Sequence, residues 1–544
     1  MATILPAAVA VQPHKAKGRA LHITRTVAAG EVIAVFTPLL LIPSISHLTT
    51  VCSFCMRAGK PRPCSRCRSA YYCNAQCQAA AWLAPGGHNL ECAALVHAVK
   101  SSKRRREIPT PVRALVKVLL SYGKEEDLGK KLDGLEGHTE QRRREPEWAD
   151  MELMAMGGCA FAGRETHEES VHQAIEILCK LQTNAFHRFD VDLGHVGIFL
   201  EPTLAMANHS CIPNAFVQFV GRNAILRAEY SIQKGDEIEI SYTDCTSSLP
   251  RRRAALAPYN FECRCQRCTQ DLCVYQASAH YCDFMLNEES ILGDGIKLQT
   301  HPAVSTPSKQ ATARAATQMH FQPMPSELAE RRLVLQKQLF DCKSLIATEL
   351  WAVNPLPQTL TELAIYYAET QEYTLALAIV ALITRHCDPY RFPAPFHPIR
   401  AKNILVMAKL LSNTAADIAL AEQKGGKAVH ITTESMESAD VRMRLQDTLQ
   451  DIDQVSLAQM LLFMVLDTAP APYLVEWELA QQARQIMAGI VELKGRDQEL
   501  SLISLWRKDP KSDTAQAFFE YGVGQQVDTL ADLALEVLKN DFGV

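Results

Sequence analysis

Metal-ligating side chains are the first chemistry legible in this chain. Between Cys52 and Cys92 run Cys52-x2-Cys55, Cys64-x2-Cys67, Cys73-x3-Cys77 and His88-x3-Cys92, which together supply seven thiolates and one imidazole. Eight such donors fill two tetrahedral Zn²⁺ sites and leave no coordination position open, and closed sites of that kind are structural. Buried free cysteines are the bland alternative, but unrelated cysteines rarely fall into four pairs at ligand spacing. A further trio, Cys263-x-Cys265-x2-Cys268, leaves tetrahedral zinc one ligand short. Two other stretches carry polar and aromatic groups in suggestive places. One is Asn208-His209-Ser210-Cys211-Ile212-Pro213-Asn214, set between an apolar run and a strand-like run. The other is Tyr242, which closes the strand-like stretch Ile238-Glu239-Ile240-Ser241-Tyr242. A phenol at a strand end, pointing into a narrow channel, can hold and orient an amine.

The elements that must position these groups follow from length and pattern. A chain of 544 residues is too long for one core, so two or three domains are expected. The formal charge of −4 argues against a surface built throughout for nucleic acid, and any basic face must be local. Lys103-Arg104-Arg105-Arg106, Arg142-Arg143-Arg144 and Arg251-Arg252-Arg253 are such runs, readable as targeting or phosphate-contacting patches or, more simply, as solvated faces. The start, Met1 to Pro13, lacks the charged region of a signal peptide, and most of the 18 cysteines sit at metal spacings, so a reducing compartment is expected. No stretch approaches the roughly 20 apolar residues that span a bilayer. Residues 17–23 and 29–35 read as two short strands joined by a turn at Gly30. Helical periodicity runs from Pro111 to Gln182, through Val112, Leu115, Val116 and Leu119 and again through Ala174, Ile175, Leu178 and Leu181, with polar sequence from Gly123 to Glu147 reading as a loop. Thr300 to Pro325 lacks periodicity and reads as a linker, and helical patterns resume beyond Ser326. Tyr366-Tyr367 and Tyr373 with Ala376 and Ala378 look like a degenerate tetratricopeptide hairpin.

Taken with Tyr71-Tyr72-Cys73 and Ala81-Trp82, the order of the eight ligands resembles a MYND finger. Asn208-His209-Ser210-Cys211, the preceding Asn184-Ala185-Phe186 and the segment Gly235 to Tyr242 resemble the catalytic half of a SET domain, the lysine methyltransferase fold. Together these motifs resemble the SMYD family, which combines SET and MYND, in a divergent fungal-type or lower-eukaryote form; the match is strong from Lys17 to Cys268 and loose beyond. The resemblance implies an α+β multidomain protein: a β-rich SET domain (1–50 and 184–244) split by a MYND finger (51–92) and a helical insert (93–183). A cysteine-rich post-SET segment (245–270), a linker or mobile loop (271–326) and an all-α, tetratricopeptide-like domain (327–544) then follow. It also implies interleaved zinc ligands, Cys52, Cys55, Cys73 and Cys77 on one ion and Cys64, Cys67, His88 and Cys92 on another. Cys211 joins Cys263, Cys265 and Cys268 on a third, clamping the post-SET segment so that loss of Cys265 costs activity as well as order. Lys17, Arg19, Asn184, Asn208, His209, Tyr242 and Phe261 would hold S-adenosylmethionine, Phe261 packing on its adenine, and Tyr242 would be the catalytic residue. The family's Gly-x-Gly turn is Gly18-Arg19-Ala20 here, its second glycine replaced.

The activity so implied is S-adenosylmethionine-dependent methylation of protein lysines, histone tails among them, by a monomer of nucleus and cytoplasm. The finger would take proline-rich peptides or pack on its host domain, and no membrane or direct DNA contact is expected. A noncatalytic adaptor that recruits proline-rich partners is the alternative, kept open by Ala20; a DNA-binding zinc protein would rest on the basic runs alone.

Overall fold

The computed structural model describes residues 8–15, 17–84, 86–100, 108–122, 124, 128–190, 192–281, 296–423 and 436–544. The basic run 103–106 lies outside them, as does part of the expected linker. The chain divides into two units, one built from Met1–Tyr242 with Ala255–Cys263 and the other from Thr243–Ala254 with Arg264–Val544.

The first unit joins small sheets to a group of helices. Ala215–Val220, Asn223–Ala228 and Val32–Phe36 form one antiparallel sheet, in that order. Leu40–Pro43, Gly194–Leu200 and Phe186–Asp190 form another. Ile33, Phe36, Phe199 and Leu226 of these strands bury together with Leu21, Ile23 and Ile238 in a common core. A second core packs Leu115 and Leu119 of helix Thr110–Ser121 against Ala174 and Leu178 of helix Glu168–Asn184, with Leu40, Ile42 and Leu200 reaching in from the sheet. Gly197 is what lets those strands close up. A Cβ there would sit 2.3 Å from the Ile42 carbonyl oxygen, so no larger residue fits.

Three sequence expectations change. Gly18–Ile23 pairs with Val9–His14, and Val32–Phe36 pairs with Asn223–Ala228, so residues 17–23 and 29–35 do not form one hairpin. The partner of the first strand lies in the opening apolar run, where Ala10 blurs the alternation of Val9, Val11 and Pro13 with Gln12 and His14. Within Gly123 to Glu147, helices Leu128–Leu132 and Thr139–Arg142 replace the expected loop, because Leu128, Leu132 and Leu135 recur at helical spacing and are buried. Residues 296–318, expected as linker, carry short helices at Ile296–Thr300, Pro302–Ser305 and Pro307–Ala315, the last two opening on a proline at the first helical position.

Among the described residues the second unit is mainly helical from Leu328 onward. Leu356–Glu369 packs on Tyr373–Leu382, which packs in turn on Gln525–Phe542. All eight of the residues from Leu375 to Leu382 are buried, which is why that helix shows no polar face. Among the described residues no single helix is long and apolar enough to cross a membrane.

One buried carboxyl makes the first unit sensitive to pH. Glu229 follows strand Asn223–Ala228, and burial alone pushes it up from 4.5 to about 8. It is therefore neutral when folded and ionised when unfolded, so its contribution to stability is complete below about 4.5 and is lost as pH rises through 8. Glu229→Gln is expected to raise the melting temperature by a margin that widens from about pH 5 to about pH 9. Parallel melting curves for the two proteins would refute this.

Candidate functional site

The finger assembles its donors in the interleaved order. Cys52, Cys55, Cys73 and Cys77 form one group and Cys64, Cys67, His88 and Cys92 another, each with its donor atoms within 4.8 Å of one another. The Sγ atoms of Cys55 and Cys73 lie 3.8 Å apart, and those of Cys73 and Cys77 3.4 Å. Tetrahedral zinc with bonds of ~2.3 Å needs sulfurs about 3.8 Å apart, so the donor set fits the ion. Behind the second group lies a carboxylate that orients its histidine. His88 Nε2 faces Cys67 Sγ at 3.4 Å, and Nδ1 bonds Glu91 Oε1 at 3.1 Å. Arg113, on helix Thr110–Ser121, grips Glu91 through two bonds of 2.9 and 2.7 Å, and Lys117 stands 3.5 Å away. Burial opposes the Glu91 charge, yet the Arg113 and Lys117 cations hold its carboxyl well below the usual range. The finger is thereby pinned to the helical insert by a buried ion pair. The third expected group, Cys211 with Cys263, Cys265 and Cys268, also has its donor atoms within 4.8 Å of one another.

Tyr242 sits where two short strands, Asn208–His209 and Glu239–Ile240, run parallel. Its hydroxyl donates to the Ala207 carbonyl at 2.7 Å, and its backbone N–H donates to His209 Nδ1 at 3.0 Å. Burial, reinforced by Tyr259 and Glu237, holds the phenol well above its ordinary pKa, so it is a neutral hydroxyl. Aromatic rings enclose it: Tyr259 at 4.9 Å, His209 at 5.3 Å and Phe261 at 6.3 Å, centroid to centroid. Phe261 is 40% exposed, an unusual state for a ring in such a cluster.

Lys17, Arg19 and Asn208 converge beside this group. The Asn208 carboxamide donates to the Arg19 carbonyl at 2.9 Å and to Glu237 Oε1 at 2.8 Å. Lys17 Nζ bonds Glu237 Oε1 at 2.9 Å and Glu239 Oε1 at 2.9 Å. Burial works against the Lys17 charge, but the two carboxylates outweigh it and raise its pKa. The Arg19 guanidinium lies over Gly134, where an added Cβ would meet Nη1 at 3.0 Å. Asn184 ends helix Glu168–Asn184 and donates to the carbonyls of Glu136 at 2.7 Å and Lys180 at 2.8 Å.

Two of the sequence-named residues have their side chains bonded within the fold. Both ring nitrogens of His209 are engaged internally: Nδ1 accepts from Tyr242, and Nε2 faces Cys211 Sγ at 3.2 Å. The ring ties a thiol of the third group to the tyrosine backbone. Asn184 likewise spends its amide on carbonyls. Ala20 sits within strand Gly18–Ile23, opposite Gln12, and its φ is not positive; Gly18, at φ +76°, is the residue that needs glycine. Replacement of the second glycine therefore strains nothing. Sequence reasoning missed Tyr259, Glu136 and Glu237. Tyr259, two residues before Phe261, was open to notice; Glu136, in the supposed loop, carried no signal.

Residues 52–92 match the family model of the MYND finger. The chain is 32% identical over 274 residues to mouse "Histone-lysine N-methyltransferase SMYD3", covering 47% of this chain and 60% of that one. It is 31% identical over 234 residues to "SET domain and MYND-type zinc finger protein 6" of Schizosaccharomyces pombe, covering 42% and 44%, and 28% identical over 261 residues to "Histone-lysine N-methyltransferase ASHR1" of Arabidopsis thaliana, covering 46% and 53%. A solved structure, the SET domain of LSMT bound to methyl-lysine and AdoHcy, overlays at a TM-score of 0.27 with 13% identity, across 92% of this chain and 96% of that one. The chain spans about half the length of the curated relatives it matches. It is a zinc-finger protein of mixed α and β structure with a large helical C-terminal region. More narrowly, over 42 to 47% of its length it is similar to proteins that carry SET and MYND domains.

Proposed function

We propose that this chain is an S-adenosylmethionine-dependent protein lysine methyltransferase. The observation that carries the reading is the neutral Tyr242 phenol, anchored on Ala207 and walled by Tyr259, Phe261 and His209, beside the Lys17, Arg19 and Asn208 cluster. The donor set suits the cofactor: Lys17 for a carboxylate, the exposed Glu136 carboxylate for ribose hydroxyls and the exposed face of Phe261 for adenine. When bound, S-adenosylmethionine supplies an electrophilic methyl on sulfur. The residues supply position and dryness. With its proton committed to Ala207, the Tyr242 oxygen is left as an acceptor that aligns the N–H of a neutral lysine, and the surrounding rings exclude water. A phenol held neutral is no base, so the substrate ammonium gives its proton to solvent before transfer.

The same reading extends to substrates and setting. Protein lysines, histone tails included, are the acceptors, and a proline-rich peptide is the finger's partner. The protein works as a monomer in nucleus and cytoplasm without direct DNA contact, and its C-terminal helices form a tetratricopeptide-like array of which Leu356–Glu369 and Tyr373–Leu382 are one hairpin. The test is calorimetric binding of S-adenosylmethionine to zinc-loaded protein, with Asn208→Ala as the control. Micromolar binding, about −8 kcal/mol, that disappears in the variant is the expected result. Absence of binding by folded protein sinks the enzyme and leaves an adaptor.

A further inference from the structure

Lys17, Glu237 and Glu239 form a cluster whose charge does not cancel. One ammonium faces two carboxylates at 2.9 Å each, for a net charge of −1. All three side chains keep some contact with solvent, at 33%, 17% and 31% exposure, so the charge acts at the site surface. Among the charges near Tyr242, Glu239 is three residues away along the chain, hence no more than about 10 Å from Cα to Cα. Glu237 is close enough to raise the phenol's pKa. An excess negative charge is thus fixed beside the place where the reacting atoms must meet.

We infer that Glu239, with Glu237, makes the site prefer the sulfonium form of the cofactor over the thioether product. The inference rests on the methyltransferase reading. During transfer the lysine nitrogen lone pair forms the new N–C bond while the S–C bond breaks. The electron pair of that bond stays on sulfur, and the positive charge passes to the amine, which releases a proton to solvent. The cofactor therefore loses one unit of charge. Its amino-acid end, one ammonium and one carboxylate, is the same before and after, so contacts there cannot tell the two apart. A nearby net charge can. Separated by about 10 Å, one elementary charge changes a preference of this kind by roughly threefold to tenfold, and the effect weakens as salt is added. The cluster speeds product exchange by this means, and Lys17 tempers it: were the lysine absent, two uncompensated carboxylates would hold the sulfonium harder.

The experiment is a pair of calorimetric titrations, S-adenosylmethionine and S-adenosylhomocysteine, at low salt on the zinc-loaded full chain, read as the ratio of the two Kd values. Glu239→Gln is expected to cut the preference for the sulfonium roughly threefold to tenfold, and Glu239→Lys to cut it further, with both ligands still bound. Lys17→Met is expected to move the ratio the other way. An unchanged ratio in Glu239→Gln overturns the inference, and so does loss of both ligands together, since that marks Glu239 as a contact to their common part. If the parent protein binds neither ligand, the methyltransferase reading itself has failed.

Discussion

Tyr242→Phe is expected to slow methyl transfer by about 10²- to 10³-fold, the range seen when one group that stabilises a transition state is removed, while S-adenosylmethionine affinity stays within about threefold of the parent. The split follows from geometry. The hydroxyl bonds the Ala207 carbonyl within the aromatic enclosure, whereas the polar cluster for the cofactor's amino-acid end lies on Lys17 and Asn208. Single-turnover rates on a lysine peptide, beside calorimetric affinity, separate the two quantities. The pH profile offers a further check. Because the phenol stays neutral, the parent rate should climb with pH as the substrate lysine deprotonates, and the variant should climb in parallel. A limb with pKa near 7 to 8 that vanishes in the variant would make Tyr242 a base and sink this account.

Arg113→Met is expected to destabilise the finger and its insert by about 3 to 5 kcal/mol, because it leaves Glu91 buried with only Lys117, 3.5 Å away, to balance it. Zinc affinity of the second group should fall about 10- to 100-fold, since Glu91 orients the imidazole of His88. Adding Glu91→Gln to Arg113→Met removes the stranded charge and keeps a hydrogen bond to His88, so most of the stability should return. Melting temperature and competition with a chromogenic chelator read the two effects. A double variant no better than the single would show that Arg113 matters for packing rather than charge.

These two predictions draw on parts of the molecule that were unequally legible. The finger could be read because zinc imposes its own spacing: Cys52 to Cys92 carry their geometry in the sequence. Its anchor could not. Arg113 lies in a helix whose periodicity marks Val112, Leu115 and Val116 as buried, and nothing in that pattern tells a buried arginine from a solvated one. Asn208, Tyr242 and Phe261 were recognisable as motif positions, but His209 shows the limit of a motif. Its identity is legible, whereas the commitment of both ring nitrogens to the interior depends on Tyr242 and Cys211 standing where they do. The first hairpin and the short helix Leu128–Leu132 were missed for a plainer reason, since five- or six-residue elements offer too few repeats for a period to register.

The Lys17 to Glu237 ion pair joins positions 220 residues apart. On a ribosome adding about 5 to 20 residues per second, the opening hairpin waits some 10 to 40 s for the strand that completes its site. The finger, whose ligands span only 52–92, can close around zinc long before that. Metal supply during synthesis thus decides whether the nascent chain has an ordered island while its first strands are still exposed, and zinc-starved cells should accumulate this protein as aggregates formed at birth rather than as mature protein that later lost its metal.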